Sequence, residues 1–368
     1  MEQSGSFNQT AIRRIRKNPL GIASFGLIVL AALVTIFAYA FSADKVQNAN
    51  QQNVIIAHKP MGFKQLLIEV PLENYTKNNS LKDLFLGKQV ESEQIAINSY
   101  QIEKDSVAYV PYLGEGIPGE TTKISLKDWT DKGISKNEIK DKFIFEKKFI
   151  FGTDAYGRDF YSRLIIGTRI SFLIGFIAVF ISLFVGIPMG AIAGYYRGKV
   201  DDAIMWLINV VWSIPTLLLV IAITLALGKG FWQIFVAVGL TMWVEVARVV
   251  RGQFISYREK EFVEAARALG FSDMRIIFKE ILPNILAPVI VISAANFAAA
   301  ILVESGLSFL GIGAQPPTPS WGNLIKENYS HIIIGEAHLA LFPGLAILLL
   351  VLAFNIFGNV LRDAFDVK

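Results

Sequence analysis

The sequence predicts an all-α polytopic membrane protein with a small extracytoplasmic α/β insert after its first helix. Three observations carry that prediction. Of 368 residues, 53% are hydrophobic and only 18% charged, against about 25% charged in an ordinary soluble domain. Six apolar runs, at 20–41, 164–195, 203–227, 231–250, 285–309 and 339–357, are nearly free of charge, and runs of about 20 apolar residues cross a bilayer as helices. The basic residues of the short connecting segments fall on alternate sides. One side holds Arg13, Arg14, Arg16, Lys17, Arg197, Lys199, Arg248, Arg251, Arg258, Lys260, Arg267, Arg275, Lys279, Arg362 and Lys368, and the other only Lys229 and Lys326. Lysine and arginine accumulate on the cytoplasmic side, so both termini and segment 251–283 are expected inside.

Residues 1–19 form a cytoplasmic N-terminal segment and 20–41 the first span. Arg13–Lys17, the apolar stretch and Ala38-Tyr-Ala40 together imitate a signal peptide. A signal's apolar region is about 7–15 residues long, however, and 20–41 exceeds it, so the run is read as a retained span. Residues 42–160 form the insert. Between 42 and 150 there is no arginine, and lysine is balanced by acid; long translocated segments escape the charge rule. Apolar alternation at 124–126 and 142–151 suggests short strands, and 78–86 a helix; a mostly extended insert is the alternative. The stretch from Gly114 to Thr121 has the outline of a phosphate loop, but Glu120 stands where the phosphate-binding lysine belongs and would repel the ligand. It is read as a turn.

Residues 161–361 hold the remaining five spans. Gly186, Gly190 and Gly194 recur every four residues, a small-residue stripe that lets another helix approach closely, while Pro188 is expected to bend the same helix. Pro215, beside Trp212 and Ser213, is expected to kink the third span or loosen a pore-lining one. Glu304, and with it Asn296, is a candidate to face a translocation cavity, since an ionisable group at that depth is costly and rarely meets lipid. An interhelical anchor is the other reading of Glu304. Glu245 and Arg248 stand one turn apart and are expected to pair.

Segment 251–283 is the polar exception among these spans. Its stretch from Glu261 to Leu269 consists of helix formers, with Phe262, Ala265, Ala266 and Leu269 expected on one shallow apolar face. Gly270 suits the left-handed residue that ends a helix. Ser272 offers an N-cap and Asp273 a favourable charge for a second helix, which runs to about Leu282 before Pro283 opens the next span. On physical grounds this helix–turn–helix either docks on a partner or lies on the inner leaflet.

No cysteine is present, so neither a disulfide nor thiol chemistry is expected. His58, His331 and His338 have no metal-like spacing, so no metal site and no catalytic constellation is expected.

Glu264-Ala-Ala, Gly270 and Leu282-Pro283 together resemble the coupling loop of ABC-importer permeases, with Glu280 where that family usually has isoleucine. Arg16-Lys-Asn-Pro-Leu-Gly21, Gly152-Thr-Asp-Ala-Tyr-Gly-Arg-Asp159 with Ser162-Arg163, Gln315-Pro-Pro-Thr-Pro-Ser-Trp-Gly322, Phe342-Pro-Gly344, Asn355 and Arg362-Asp363 narrow the resemblance to the C-type subunit of the dipeptide/oligopeptide branch. The resemblance implies a six-helix type I importer fold in a bacterial inner membrane, followed by a cytoplasmic tail, 362–368. It assigns ATPase coupling to Glu264, Ala265, Ala266, Gly270, Leu282 and Pro283. It implies four kinds of partner: a homologous permease, two ABC ATPases that use ATP and Mg, an extracytoplasmic binding protein and membrane lipid, with no nucleic acid. The chain itself is expected to bind no cofactor and to catalyse nothing. The substrate is expected to be a peptide, with a nickel or other metal chelate as the alternative. An ion-driven secondary transporter is the rival class. The 42–150 insert departs from the family pattern, which is shorter there.

Overall fold

The computed structural model describes residues 13–75, 81–228 and 231–365. Its chain divides into a helical unit, Met1–Ala32, Ile170–Gln315 and Gly344–Lys368, and a sheet unit, Leu33–Arg169 with Pro316–Pro343. The sheet unit is therefore wider than the expected insert at 42–160, because it takes in the last polar segment between spans. Lys229 and Lys368 of the charge pattern, and residues 78–80 of the expected insert helix, lie outside the described residues.

In chain order the principal helices are α1 (Pro19–Ile36), α2 (Phe160–Tyr196), α3 (Gly198–Trp212), α4 (Thr216–Leu227), α5 (Phe231–Tyr257), α6 (Glu261–Ala268), α7 (Leu286–Phe309), α8 (Trp321–Asn328) and α9 (His338–Phe365). Among the described residues five helices are long and apolar enough to cross a membrane; α3 and α4 bring the number to six only if counted as one span, for they meet at 91°. The third apolar run, read as a single span, is thus a broken pair. The break falls at Ser213–Pro215. Proline supplies no N–H to the preceding turn and restricts the residue before it, while the Ser213 hydroxyl donates to the Val210 carbonyl at 2.7 Å. Pro188, by contrast, is accommodated inside a continuous α2.

Local chemistry explains the ends of the first span. Asn18 accepts a hydrogen bond from the Gly21 amide at 3.1 Å, and Pro19 fills the first helical position, where an N–H has no partner to lose. The glycine stripe of α2 lies against α5. A Cβ built on Gly186 would stand 2.7 Å from the Trp243 carbonyl, on Gly190 2.4 Å from that of Ala247, and on Gly194 2.7 Å from that of Arg251. The two backbones touch along three successive turns. Farther along α2, Phe172 meets Phe297 of α7, whose ring stacks on Phe354 of α9 at 3.9 Å between centroids.

In the sheet unit five strands, β1 (Phe63–Pro71), β2 (Ser92–Ile102), β3 (Ser106–Pro111), β4 (Thr122–Ser125) and β5 (Ile144–Phe149), form an antiparallel sheet in the order β4-β3-β2-β1-β5. Alternation sends Ile68, Ile97 and Val107 to a core closed by Trp129, Ile139 and Phe143. Leu67, Ala96 and Phe149 face a second cluster with Ile56. Trp129 donates its indole N–H to the Glu69 carbonyl at 2.9 Å, so its full burial leaves no polar atom stranded. The insert is therefore an ordered α/β module. β4 and β5 occupy the two stretches expected to be strands, and Leu81–Leu86 is helical. The stretch resembling a phosphate loop is a turn, with Gly114 and Gly116 at positive φ.

The Gly152–Asp159 motif builds a buried ion network. Arg158 donates through Nε to Asp154 at 2.7 Å and through Nη2 to Glu327 of α8 at 2.8 Å, and Arg163 also reaches Glu327, at 3.2 Å. Gly157, at φ +69°, lets this turn approach Asn53 so closely that a Cβ would fall 1.7 Å from the Asn53 carbonyl.

The α2–α5 contact yields a test. Gly190→Ala forces a methyl group into the Ala247 carbonyl, and overpacking of this kind costs about 1–3 kcal/mol. Gly26→Ala adds a methyl that meets nothing within 4 Å. The thermal midpoint of the purified protein should fall for the first and hold for the second; equal midpoints would contradict the contact.

Candidate functional site

The segment between α5 and α7 is a knuckle built from its own caps. α6 carries Glu261 and Glu264 in its first turn and Arg267 in its last, each sign complementing the helix dipole. At its end the Phe271 amide donates to the Ala266 carbonyl at 3.1 Å, and the Gly270 amide to that of Arg267 at 2.9 Å. This pair of bonds is the Schellman closure, and it needs a left-handed residue between helix and exit. Gly270 supplies it at φ +76°. Ser272 has the extended backbone of an N-cap, but its side chain makes no capping bond. A different tether holds this end, the Tyr195 hydroxyl of α2 donating to the Asp273 carboxylate at 2.6 Å.

From Asp273 the chain runs unbroken into the membrane. A short α turn, Asp273–Arg275, widens into a π segment, Ile276–Ile281, tightens through a 3-10 turn, Leu282–Ile285, and continues as α7. Such local changes of pitch mark strain or a hinge. Ile276, Ile277, Ile281 and Ile285 are fully buried with Val263 and Ala266 of α6, against Tyr195 of α2 and Val246, Val250 and Phe254 of α5. The knuckle thus shares one hydrophobic core with the adjoining ends of α2, α5 and α7.

The expected apolar face of α6 is corrected in one respect. Ala266 points inward with Val263, whereas Phe262, Ala265 and Leu269 point outward, Leu269 being 74% exposed. The inward face is set by tertiary packing, to which Val263 contributes the larger side chain. Glu264 and Ala265 lie beside Phe262 and Leu269 on the open face, and Met274 at 65% exposure extends the apolar character past the turn. Leu282 packs at the margin of the buried cluster, and Pro283 is exposed at the start of the 3-10 turn. Arg267 and Arg258 flank Tyr195, and Arg275 lies 3.6 Å from the centroid of the Phe271 ring.

The candidate cavity residues are not brought together. Glu304 is fully buried in α7, accepting from Ser308 at 2.7 Å and from Ser171 of α2 at 3.3 Å. That is the geometry of the interhelical anchor. Asn296 is buried as well, with its Nδ2 unpartnered among the described residues. Trp212 and Ser213 sit at the exposed α3–α4 break. Arg248, expected to pair with Glu245, stacks on Trp212 at 3.9 Å, and no Glu245–Arg248 ion pair occurs among the described residues. A guanidinium placed on an indole face gains a cation–π contact that the neighbouring turn could not foretell. Sequence reasoning missed Tyr195 and Arg251; the latter holds Asp201 of α3 with a 2.6 Å Nη2 bond.

Comparison with known proteins adds a second line of evidence. Residues 186–368 match the family described as binding-protein-dependent transport system inner membrane component. Residues 6–60 match the N-terminal TM domain of oligopeptide transport permease C. The chain is 41% identical over 217 residues to the glutathione transport system permease protein GsiD of Pectobacterium atrosepticum, covering 59% of this chain and 72% of that protein. It is 43% identical over 218 residues to the dipeptide transport system permease protein DppC of Alkalihalophilus pseudofirmus, covering 59% and 71%. Among solved structures, an inward-facing MetNI methionine ABC transporter aligns with 55% of this chain and 95% of its own, at TM-score 0.46 and 19% identity.

The Tyr195–Asp273 bond can be tested directly. Tyr195→Phe removes the hydroxyl and leaves the carboxylate to water, a loss of up to about 1.5–3 kcal/mol for a hydrogen bond to a charged group. Amide exchange across 261–275 should accelerate while that of α9 stays unchanged. Equal protection in both proteins would remove the bond from the knuckle's support.

Proposed function

The chain belongs to the family of binding-protein-dependent transport system inner membrane components, and from that premise we propose that it forms half of the translocation pathway of an ATP-driven importer of short peptides. The relatives named for dipeptide and glutathione transport support a peptide substrate over a metal chelate. The observation that carries the coupling role is the knuckle itself: a capped helix with an open, partly apolar face, continuous with α7 through Asp273–Phe309. A membrane-surface helix would bury its apolar face in lipid, whereas here the inward apolar face is already buried in protein and a second one remains open.

In this reading a partner ATPase grips Phe262, Glu264, Ala265 and Leu269, and Gly270 keeps the turn tight enough for the grip. Leu282 and Pro283 carry the displacement into α7. The chain catalyses nothing and binds no nucleotide; ATP and Mg are used by two partner ATPases. A homologous permease completes the pathway, and a binding protein delivers substrate on the side of the sheet unit. Both termini and the knuckle lie in the cytoplasm, consistent with the crowding of Arg and Lys there. ATP-driven closure of the ATPases then biases an equilibrium between inward- and outward-facing arrangements, as any coupling element must.

Gly270 separates the backbone requirement from the packing requirement. A Cβ there meets nothing within 4 Å, so a substitution disturbs only the left-handed turn, at about 1–2 kcal/mol for an ordinary residue. Gly270→Val should cut ATP-dependent peptide uptake at least tenfold (about 1.4 kcal/mol) and weaken co-purification of the ATPase. Membrane levels should be unchanged, and Gly270→Asn, which tolerates the conformation, should retain most uptake. Normal coupled transport by the valine variant at normal abundance would sink the docking assignment.

A further inference from the structure

Three titratable groups far apart in the sequence meet within the sheet unit. One ligand atom each from His58, His331 and Glu336 lies within 4.8 Å of the other two. His58 Nδ1 is 2.8 Å from Glu336 Oε2, and His331 Nδ1 is 3.9 Å from the same oxygen. The two imidazole rings meet edge to face with centroids 4.8 Å apart.

Backbone bonds hold each of the three in place. The His58 amide, at φ +58°, donates to the Asp154 carbonyl at 3.2 Å, and the Glu336 amide donates to the His331 carbonyl at 3.0 Å. Gly335, at φ +92°, lets the chain turn back so that His331 and Glu336 face the same point.

A plain His58–Glu336 ion pair accounts for only part of this arrangement. It leaves His331 Nδ1 buried and without a hydrogen-bond partner among the described residues, although that nitrogen faces a carboxylate oxygen. A cation between the three uses every one of these atoms. We propose that His58, His331 and Glu336 bind a borderline divalent metal ion, Zn(II) foremost, with water completing a tetrahedron.

Zinc takes imidazole nitrogen at about 2.0–2.1 Å and carboxylate oxygen at about 2.0–2.2 Å, which sets donors about 3.3–3.5 Å apart around a tetrahedron. The separations of 2.8 and 3.9 Å from Glu336 straddle that range, and all three donors lie within 4.8 Å of one another, so side-chain shifts of about an ångström or less would close the site. Mg and Ca are disfavoured, because they prefer oxygen donors. His58, with 38% of its side chain exposed, leaves a way in for the ion. Once bound, the ion clips the segment preceding β1 to the turn that follows α8. This inference stands apart from the transport reading, since it needs only the sheet unit.

The test uses the full-length protein, purified without a polyhistidine tag, stripped with chelator and dialysed against micromolar zinc chloride. Elemental analysis should find about one zinc per chain, and His58→Ala, His331→Ala and Glu336→Gln should each lower zinc affinity at least tenfold. Zinc should raise the thermal midpoint of the parent protein and not of the variants. Should the variants fold poorly, Co(II) added to the parent protein decides the matter. Intense visible bands of a tetrahedral ion with nitrogen ligands support the site, and a weak octahedral spectrum overturns it. Zinc retention that is absent from the parent, or equal in the parent and the triple variant, also overturns it.

Discussion

The close approach of α2 and α5 is the constraint on which the helical unit rests. Three glycines remove side chains along one stripe of α2, and the carbonyls of Trp243, Ala247 and Arg251 move into the space. In a membrane, where lipid is as apolar as leucine, helix association depends on such packing rather than on a hydrophobic drive. Past the stripe the two helices end beside each other, and Tyr195, Val250 and Phe254 offer one surface to the knuckle. Val263 and Ala266 of α6 and the isoleucines of the π segment close over it. A wider spacing of α2 and α5 would open that surface and leave α6 without a seat.

Much of this was legible in the chain, and what was legible was local. The stripe at four-residue spacing, the helix formers from Glu261 and the left-handed Gly270 are rules of a single turn, which short sequence windows carry. The misreadings share a different origin. Assigning Ala266 to the same face as Phe262 and Leu269 weighed hydrophobicity around α6 alone, whereas the seat selects whichever arc fits it, and Val263 fits best. Arg248 lay within reach of Glu245 by spacing, yet the α3–α4 break delivers the Trp212 ring to it. The strands β1, β2 and β3 went unread because both faces of the sheet bear apolar clusters, so the two-residue alternation of β1, with Leu67 and Ile68 both buried, is blurred. His58 and His331 could not be joined by spacing, because the turn at Gly335 and the backbone at His58 make the meeting.

The sheet unit is assembled by another kind of chemistry. Two arginines and two acids, Arg158, Arg163, Asp154 and Glu327, are largely withdrawn from water and pair with one another. Breaking such a network by removing one member leaves an uncompensated buried charge, at about 3–5 kcal/mol. The loss of any one member is therefore costly, and the network ties the Gly152–Asp159 turn to α8 through Glu327. It also explains why that motif combines tight turns with charge: Gly157 admits the backbone, and the charges lock it.

Within the helical unit, the placement of polar and irregular elements sets how a push on α6, in the proposed coupling role, would travel. α7 is tied to α2 at one point by Glu304 with Ser171 and at another by the edge-to-face contact of Phe297 with Phe172. Its knuckle end is seated on α2 and α5 through four buried isoleucines. Those contacts discourage sliding of α7 along α2, since Glu304 would lose its bond from Ser171 at a depth where an ionisable group is costly. The π and 3-10 turns at Ile276–Ile285 lie between the open face of α6 and the regular part of α7. Among the described residues from α6 through α7, these turns are where the backbone bonding is irregular, so re-registering it costs least there. A displacement of the open face then reaches the membrane either as a change of pitch at these residues or as a joint rotation of α2, α5 and α7. The shared core makes the second the natural carrier, because packed interiors move between discrete arrangements rather than deform continuously.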